Sequence, residues 1–295
     1  VIAADIGDTA AFGVELAASE VIFNLAGEIS HLHSMDFPER DLQINTVAQL
    51  RFLLACSAAN PGVRVVYAST RQVYGVPEYT PVDEAHPVQP VDFNGVHKLA
   101  ASMYHLMLAR TGQLDAIALR LTNVYGPRMA LDVPCQGFLS TFFRRLVLGK
   151  PLEIFGDGRQ LRDPVYVDDA VDAFLAAGAV ERVDSRIYNA GGPEALSLAD
   201  IARIAANAAG GAEILYRPFP DAVKPIDIGS YFTDSRRIQA ELKWNARVAF
   251  ADGADRTLAY YRHHRDRYLD PAHPEPDCRM PEHRGAPRRL MYAEG

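Results

Sequence analysis

The sequence predicts an α/β protein with a doubly wound parallel sheet and a smaller C-terminal lobe. The first observation is a set of short apolar runs without polar alternation, as expected of strands buried on both faces of a parallel sheet. These runs are Val1–Ala4, Val21–Leu25, Val63–Ala68 and Ala116–Leu119. The second observation is that helical stretches separate them, and strand–helix alternation is typical of doubly wound sheets.

Two helices are predicted between the strands, over Asn45–Ala59 and Lys98–Arg110. Each carries apolar residues at helical spacing. The apolar residues are Val47, Leu50 and Leu54 in the first helix, and Leu99, Met103, Leu106 and Met107 in the second. Three further helices are predicted over Gly137–Leu148, Asp168–Ala179 and Leu198–Ala209, the last with Ser197 as its N-cap.

The chain order of these elements predicts two interleaved units and a tail. Residues 1–123 and about 163–195 are expected to form one unit around the sheet. Residues of about 124–162 and 196–268 are expected to form a smaller lobe over the carboxyl ends of the strands. Residues 269–295 contain many proline and charged residues, which predicts an extended tail.

The composition excludes several classes of protein. The 295 residues are 48% hydrophobic and 23% charged, which is ordinary for a globular chain. A formal net charge of −7 argues against a nucleic-acid surface, and no apolar run approaches the ~20 residues of a membrane helix. The three cysteines lie far apart and show neither disulfide nor metal-ligand spacing. We therefore expect a cytoplasmic protein without a metal, a membrane or a nucleic-acid partner.

Seven motifs in order resemble the extended short-chain dehydrogenase/reductase family, specifically its NAD-dependent nucleotide-sugar epimerases, dehydratases and decarboxylases. The motifs are DIGD (5–8), NLAG (24–27), STRQVYG (69–75), NGVHK (94–98), RLTNVYGPR (120–128), GDGRQLRDPVYVDD (156–169) and YNAGG (188–192). Each is weak alone, but together they cover roughly residues 1–245. The resemblance implies that the unit around the sheet is a Rossmann-type, dinucleotide-binding domain that holds NAD. It also implies that the smaller lobe binds the substrate, a nucleotide-diphosphate sugar.

The resemblance implies NAD contacts at two positions along the chain. Asp5 and Ile6 resemble the pair that contacts the adenine, and Ala26 and Gly27 resemble residues that let the backbone approach the cofactor closely. The alternative for Ala26 and Gly27 is a tight turn after a strand. The Gly-rich turn that holds the pyrophosphate in the family is absent from these residues, so we expect an N-terminally incomplete unit, either as a fragment or as a shortened form.

The resemblance also implies a catalytic centre of a Ser/Thr, a Tyr and a Lys. Thr70 takes the hydroxyl position and Lys98 the lysine position, where the lysine binds the nicotinamide ribose and lowers the pKa of the tyrosine. Asn94 stands where the family has tyrosine. An amide cannot accept a proton near neutral pH, although it can hydrogen-bond a sugar hydroxyl.

Several groups are open as the replacement proton acceptor. Tyr74, His97, Tyr104, a water molecule and the substrate itself are the alternatives. Each side chain also has a non-catalytic alternative. Tyr74 is expected to have a structural role in its motif and Tyr104 to pack in the core. His97 is expected on the surface, because helix geometry turns it away from Lys98.

The residues after Thr70 indicate the reaction type. Family dehydratases have Asp-Glu there and decarboxylases keep the Glu, whereas this chain has Arg71 and Gln72. Neither is a carboxyl acid or base, so both of those reactions are disfavoured. Arg71 is expected to contact an acidic substituent of the sugar or, alternatively, to face solvent.

Four further residues are expected to bind the nucleotide sugar. Asn123 resembles a contact near the diphosphate, Arg162 a phosphate-binding arginine, and Phe155 a residue that lines the base. Asp221 is expected to close the site over the ribose or phosphate. The alternatives are a turn asparagine, a salt-bridged surface arginine and a core phenylalanine.

These inferences favour a 4-epimerase or a related C4 oxidoreductase. The alternative is a catalytically silent or non-redox relative that binds a nucleotide sugar. A homodimer is also expected, since relatives often pair the lysine-bearing helix and a neighbouring helix into a four-helix bundle.

Overall fold

The computed structural model of the protein describes residues 1–131, 137–220 and 224–269. Its strands, in chain order, are β1 (Val21–Asn24), β2 (Arg64–Thr70), β3 (Asp115–Leu121), β4 (Val124–Tyr125), β5 (Leu152–Phe155), β6 (Leu161–Arg162), β7 (Val165–Tyr166), β8 (Ile187–Ala190), β9 (Leu196–Ser197) and β10 (Ile214–Arg217).

The described helices alternate with these strands. The α-helices are α1 (Gly13–Ala18), α2 (His31–Asp36), α3 (Pro38–Leu42), α4 (Ala48–Ala59), α5 (Phe93–Arg110), α6 (Phe138–Val147), α7 (Val167–Ala179), α8 (Leu198–Ala208), α9 (Arg236–Leu242), α10 (Phe250–His263) and α11 (Arg265–Tyr268). Short 3-10 turns cover Thr9–Phe12, Arg71–Tyr74 and Lys224–Ile226, and a π-helical turn covers Gln43–Val47.

The central sheet has the strand order β1-β2-β3-β8, with every pair parallel. Helices α4 and α5 cover one face and α7 covers the other. The predicted α/β fold with a parallel sheet is therefore confirmed. Because all four strands run the same way, their carboxyl ends meet at one edge, where ligands of such sheets bind.

One predicted strand is wrong. Val1–Ala4 is exposed and irregular, and no described strand lies beside it. A strand needs a hydrogen-bonded neighbour, and an apolar run alone does not supply one. The other three predicted strands are confirmed as β1, β2 and β3.

The two predicted helices α4 and α5 form, but their predicted stripes do not face the sheet. On α4 the sheet side carries Phe52, Leu53 and Cys56, while Leu54 is half exposed. On α5 the sheet side is built from small and polar residues, and Met103 is 56% exposed. Both helices therefore have an outward apolar face that the isolated chain leaves uncovered.

Apolar side chains of the later part of the chain form a second core. It joins α6, α8 and α10 around β5, with Phe143, Leu152, Ile201 and Leu258 at its centre. Ser197 caps α8 as predicted, since its hydroxyl accepts from the backbone N–H of Asp200 at 3.0 Å. None of the described helices has the length and apolar character needed to cross a lipid bilayer.

Candidate functional site

A cleft of about 410 Å³ opens beside the carboxyl end of β1. Asp5, Ile6, Ala26 and Gly27, the four residues expected to contact NAD, line it together with Phe12 and Ile44 among others. A carboxylate between apolar side chains suits an adenine ring, which carries an amino donor on a flat apolar surface. The structure thus brings four residues from two separate motifs to one place.

Gly27 leaves room that no other residue would leave. A Cβ at this position would lie 2.6 Å from Nζ of Lys98 and 2.7 Å from Oδ1 of Asn45. The absent side chain lets the lysine ammonium lie directly against the backbone of the cleft. The cradle fits a close approach of the nicotinamide ribose, so the described residues are compatible with the adenine and nicotinamide ends of NAD.

Lys98 is the buried cation of the site. It lies on α5, and its Nζ donates to the carbonyl oxygen of Ala68 at 3.4 Å and sits 5.4 Å from the ring centre of Tyr67. Among the described residues no carboxylate lies within ion-pair distance of it. Burial lowers the pKa of Lys98 to about 8, against the opposing charge of Asp41.

Thr70 ends β2 at the same edge. Its hydroxyl accepts from the backbone N–H of Gln72 at 3.2 Å and so starts the 3-10 turn Arg71–Tyr74. This turn directs the chain away from the sheet and leaves the side chain of Thr70 only partly buried. The hydroxyl therefore lies where parallel strands present groups to a ligand.

The side-chain amide of Asn94 is hydrogen-bonded within the protein and is only partly available to a ligand. Its Nδ2 donates to the carbonyl oxygen of Glu28 at 2.9 Å and to Oδ2 of Asp41 at 3.0 Å. Both amide hydrogens are thus in use, and only Oδ1 remains for a sugar hydroxyl. The position that resembles the catalytic tyrosine ties the loop after β1 to α3 and α5.

His97 is not on the surface as expected. It is buried, and its Nδ1 lies 2.8 Å from Oδ1 of Asp41. The buried carboxylate of Asp41 gives the imidazole a partner, and this contact outweighs the exposure that helix geometry alone predicted.

Two residues of this site were missed by the sequence analysis. Asn45 accepts from the backbone N–H of Glu28 at 3.1 Å and donates to its carbonyl oxygen at 3.2 Å. The sequence predicts Asn45 only as the first residue of a helix. In the structure it lies in the π-helical turn before α4, with Oδ1 2.7 Å from where a Cβ of Gly27 would be. No sequence motif indicates that Asp41 belongs to the site, because its partners His97 and Asn94 follow it by more than 50 residues.

The other candidate proton acceptors have structural partners. The hydroxyl of Tyr74 donates to Oδ1 of Asn189 at 2.6 Å and accepts from Arg120 at 2.7 Å. Burial raises the pKa of Tyr74. Tyr104 packs against the core between α4 and the sheet, as expected.

A second group of predicted residues meets at the end of β3. Nη2 of Arg71 lies 3.4 Å from Oδ1 of Asn123, and both Arg71 and Arg162 are buried. Burial lowers the pKa of Arg162 to about 9, and the charge of Arg71 acts in the same direction. The alternatives of a solvent-facing Arg71 and a surface Arg162 are therefore wrong, and two desolvated guanidinium groups lie within electrostatic range of each other.

The last two predicted residues stand apart from this group. Phe155 ends β5 and is 42% exposed, with its ring 6.4 Å from that of Phe219, so it is not a core phenylalanine. An exposed aromatic ring is available for stacking on a base. Asp221 lies outside the described residues.

Comparison with known proteins identifies the family of this chain. The model of the NAD dependent epimerase/dehydratase family matches residues 1–191. A UDP-glucose 4-epimerase of Mycolicibacterium smegmatis is 35% identical over 245 residues, which make up 82% of this chain and 76% of that protein.

Two solved structures share the fold. The UDP-glucose 4-epimerase of Thermotoga maritima, with UDP-glucose, has a TM-score of 0.80 at 27% identity and covers 88% of this chain and 84% of its own. MoeE5, in complex with UDP-glucuronic acid and NAD, has a TM-score of 0.78 at 29% identity over 89% of this chain and 85% of its own. On the match of the family model and the similarity to the M. smegmatis protein, this chain belongs to the NAD dependent epimerase/dehydratase family.

Proposed function

We propose that this protein uses NAD to epimerise a nucleotide-diphosphate hexose at C4. The observation that carries the proposal is the buried ammonium of Lys98 against Gly27, at the sheet edge where Thr70 ends β2. The M. smegmatis and T. maritima relatives, both named UDP-glucose 4-epimerases, support it.

Bound NAD would supply hydride transfer from and back to the sugar carbon. Asp5 and Ile6 would hold the adenine, and Ala26 and Gly27 would let the cofactor lie against the backbone. Lys98 would hold the nicotinamide ribose. The remaining chemistry belongs to the residues that bind the sugar and move its proton.

The substrate would extend from the end of β2 into the lobe. Thr70 would hydrogen-bond the C4 hydroxyl, Asn123 and Arg162 would bind the diphosphate, and Phe155 would stack on the base. Gln72 takes the place of the carboxyl group that dehydratases and decarboxylases of the family use, and this substitution favours epimerisation over those reactions.

We further propose that Nζ of Lys98 takes the hydroxyl proton that tyrosine takes in the family. Its pKa of about 8 places part of the amine in the neutral form near neutral pH. The charged and titratable groups that face it are Asp41 from α3, His105 from α5 and Tyr67 from β2. His105 is itself neutral near pH 7, because burial lowers its pKa to about 4.

The test is turnover with NAD and UDP-glucose, followed by chromatographic separation of UDP-galactose. We expect product, at a rate that rises through pH 8 as the amine of Lys98 loses its proton. Lys98→Met should lose turnover, and Lys150→Met, a change at an exposed lysine, should keep it. Binding of both ligands without turnover at any pH would contradict the proposal and leave a silent relative.

Asn94→Tyr also tests which group accepts the proton of the sugar hydroxyl. If the native protein lacks only the family's proton acceptor, the new phenol should raise turnover and extend it to lower pH. A variant that folds and binds NAD but turns over more slowly than the native protein would contradict the role given to position 94.

We also propose a homodimer formed through α4 and α5. The outward apolar residues Leu54, Val96, Met103 and Met107 lie on these two helices and are each about half exposed. Isologous pairing of this face would bury it in a four-helix bundle. A cytoplasmic location remains a prediction from the composition.

A further inference from the structure

Arg71 is a buried cation with few partners. It is 8% exposed, and its guanidinium contacts only two amide oxygens in the part of the chain that the structure describes, Oε1 of Gln72 at 3.3 Å and Oδ1 of Asn123 at 3.4 Å. No described carboxylate lies within 4.0 Å of it. Burial lowers the pKa of Arg71, as expected of a charge removed from water without an ion pair.

The surroundings of Arg71 fix its orientation without neutralising it. The ring of Tyr231 lies 5.1 Å from its central carbon and supports one face of the planar group. Arg162 adds a second positive charge within electrostatic range. The carboxylates of Asp163, Asp92 and Asp227 act on Arg71 from a distance.

Asp163 is a weak counter-charge for this pair. Its Oδ2 accepts from the backbone N–H of Thr233 at 2.9 Å, and its buried Oδ1 has no hydrogen-bond partner among the residues that the structure describes. Burial raises the pKa of Asp163 to about 7, so at neutral pH the carboxyl group is ionised only in part. Among the described residues, the carboxylate within 4.0 Å of either guanidinium is that of Asp227, 3.9 Å from Nη2 of Arg162. Arg71 itself therefore stays without an ion pair in a dry environment, which favours binding of an anion.

The place of Arg71 in the chain indicates which anion. The proposed function gives the diphosphate to Arg162 and Asn123 and the sugar hydroxyl to Thr70. Arg71 directly follows Thr70 and reaches Asn123, so with these roles its guanidinium would lie between the sugar hydroxyl and the diphosphate, beside the sugar ring. A planar fork of donors there matches a carboxylate.

We propose that the sugar-binding part of the site recognises an acidic sugar, so that the substrate is a nucleotide-diphosphate hexuronic acid whose carboxylate pairs with Arg71. The proposal rests on the proposed function, because it specifies the substrate of that same site. A neutral hexose would leave the buried guanidinium without an anionic partner, and an unpaired buried charge is unfavourable.

Calorimetric titration of the protein with UDP, UDP-glucose and UDP-glucuronic acid tests the proposal without turnover. A charge-assisted bidentate pair is worth about 1.5–3 kcal/mol, which corresponds to roughly 10- to 150-fold in affinity. We expect UDP-glucuronic acid to bind at least about 10-fold tighter than UDP-glucose. Arg71→Gln should bring the ratio of the two affinities near one, whereas Arg71→Lys should keep part of it.

Arg159→Gln is the matched control, because this arginine lies between β5 and β6 and its side chain is largely exposed. It should leave the ratio unchanged. If Arg71→Gln fails to fold, the series of three ligands on the native protein still decides the matter.

Two outcomes would overturn the proposal. In the first, the native protein binds UDP-glucose as tightly as UDP-glucuronic acid. In the second, Arg71→Gln weakens UDP, UDP-glucose and UDP-glucuronic acid by the same factor, which would show that Arg71 contacts the diphosphate. Absence of binding by every nucleotide would instead contradict the proposed function itself.

Discussion

Replacing Lys98 by methionine should stabilise the protein while it removes activity. The ammonium is buried with one hydrogen bond, and its pKa falls from 10.5 to about 8 because burial disfavours the charged form. At about 1.36 kcal/mol per pKa unit, the charge destabilises the folded protein at pH 7 by roughly 3 kcal/mol. Methionine has a similar shape and carries no charge.

Two favourable contacts offset part of this gain. The hydrogen bond to Ala68 contributes about 1 kcal/mol and the contact with the ring of Tyr67 about 0.5–1 kcal/mol. The net increase in the free energy of unfolding is therefore about 1–2 kcal/mol, or a rise in Tm of about 2–6 °C. Denaturant titration followed by fluorescence of the buried Trp244, the single tryptophan of the chain, measures it.

The pH dependence gives a second check. Because the folded pKa lies below the unfolded one, the unfolded chain holds one more proton at this position between pH 8 and 10.5. The native protein therefore gains stability from this lysine as pH rises through that window, and the methionine variant does not. The advantage of Lys98→Met should be constant below about pH 7 and nearly gone at about pH 9.5.

The control is Lys243→Met, at an exposed lysine, which should leave the pH dependence of stability unchanged. A Lys98→Met protein that is less stable than the native one at pH 7, or whose advantage does not change with pH, would refute the argument that Lys98 is a buried, destabilising charge.

Three further changes test other parts of the structure. Gly27→Ala should weaken NAD binding by about 10-fold or more in calorimetry, since its Cβ would displace the lysine and asparagine side chains of the cleft, whereas Gly13→Ala, with open space around it, should not. Asn94→Leu should lower the free energy of unfolding by about 2–4 kcal/mol in denaturant titrations, because it removes both donors from a buried carboxylate and a carbonyl oxygen; an unchanged stability would contradict its bracing role. Met103→Glu should convert a dimer into a monomer in light scattering, and Val171→Glu, an equally exposed site on α7, should leave the mass unchanged.

For helices α4 and α5, the sequence pattern predicts that a helix forms but not which of its faces is buried. The periodicity of α4 and α5 predicted the helices themselves, since apolar residues at helical spacing define a face. It did not tell which face meets the sheet, because α4 carries apolar residues on both faces and the buried side of α5 is mostly small or polar. Packing against β2 and β3 makes that choice.

In the candidate site, too, the sequence indicates some residues and only the fold reveals the contacts of others. The motifs named Thr70, Lys98 and Gly27 because each lies within a few residues of a recognisable pattern. The partners of Asn94 could not be found in this way, since Asp41 and Glu28 are brought to it only by the folding of separate segments. The burial of Arg71 and His97 likewise could not be predicted, because it depends on which other segments pack over these side chains.

The order of the residues alone determined the class of fold, the edge of the sheet where a ligand is expected and the asparagine at the position that resembles the family's tyrosine. These follow from local patterns, because strands, helices and motifs are encoded within short stretches of chain. The tertiary structure decided which charges are buried and what they contact. Desolvation depends on every neighbour that excludes water, and those neighbours come from distant parts of the sequence.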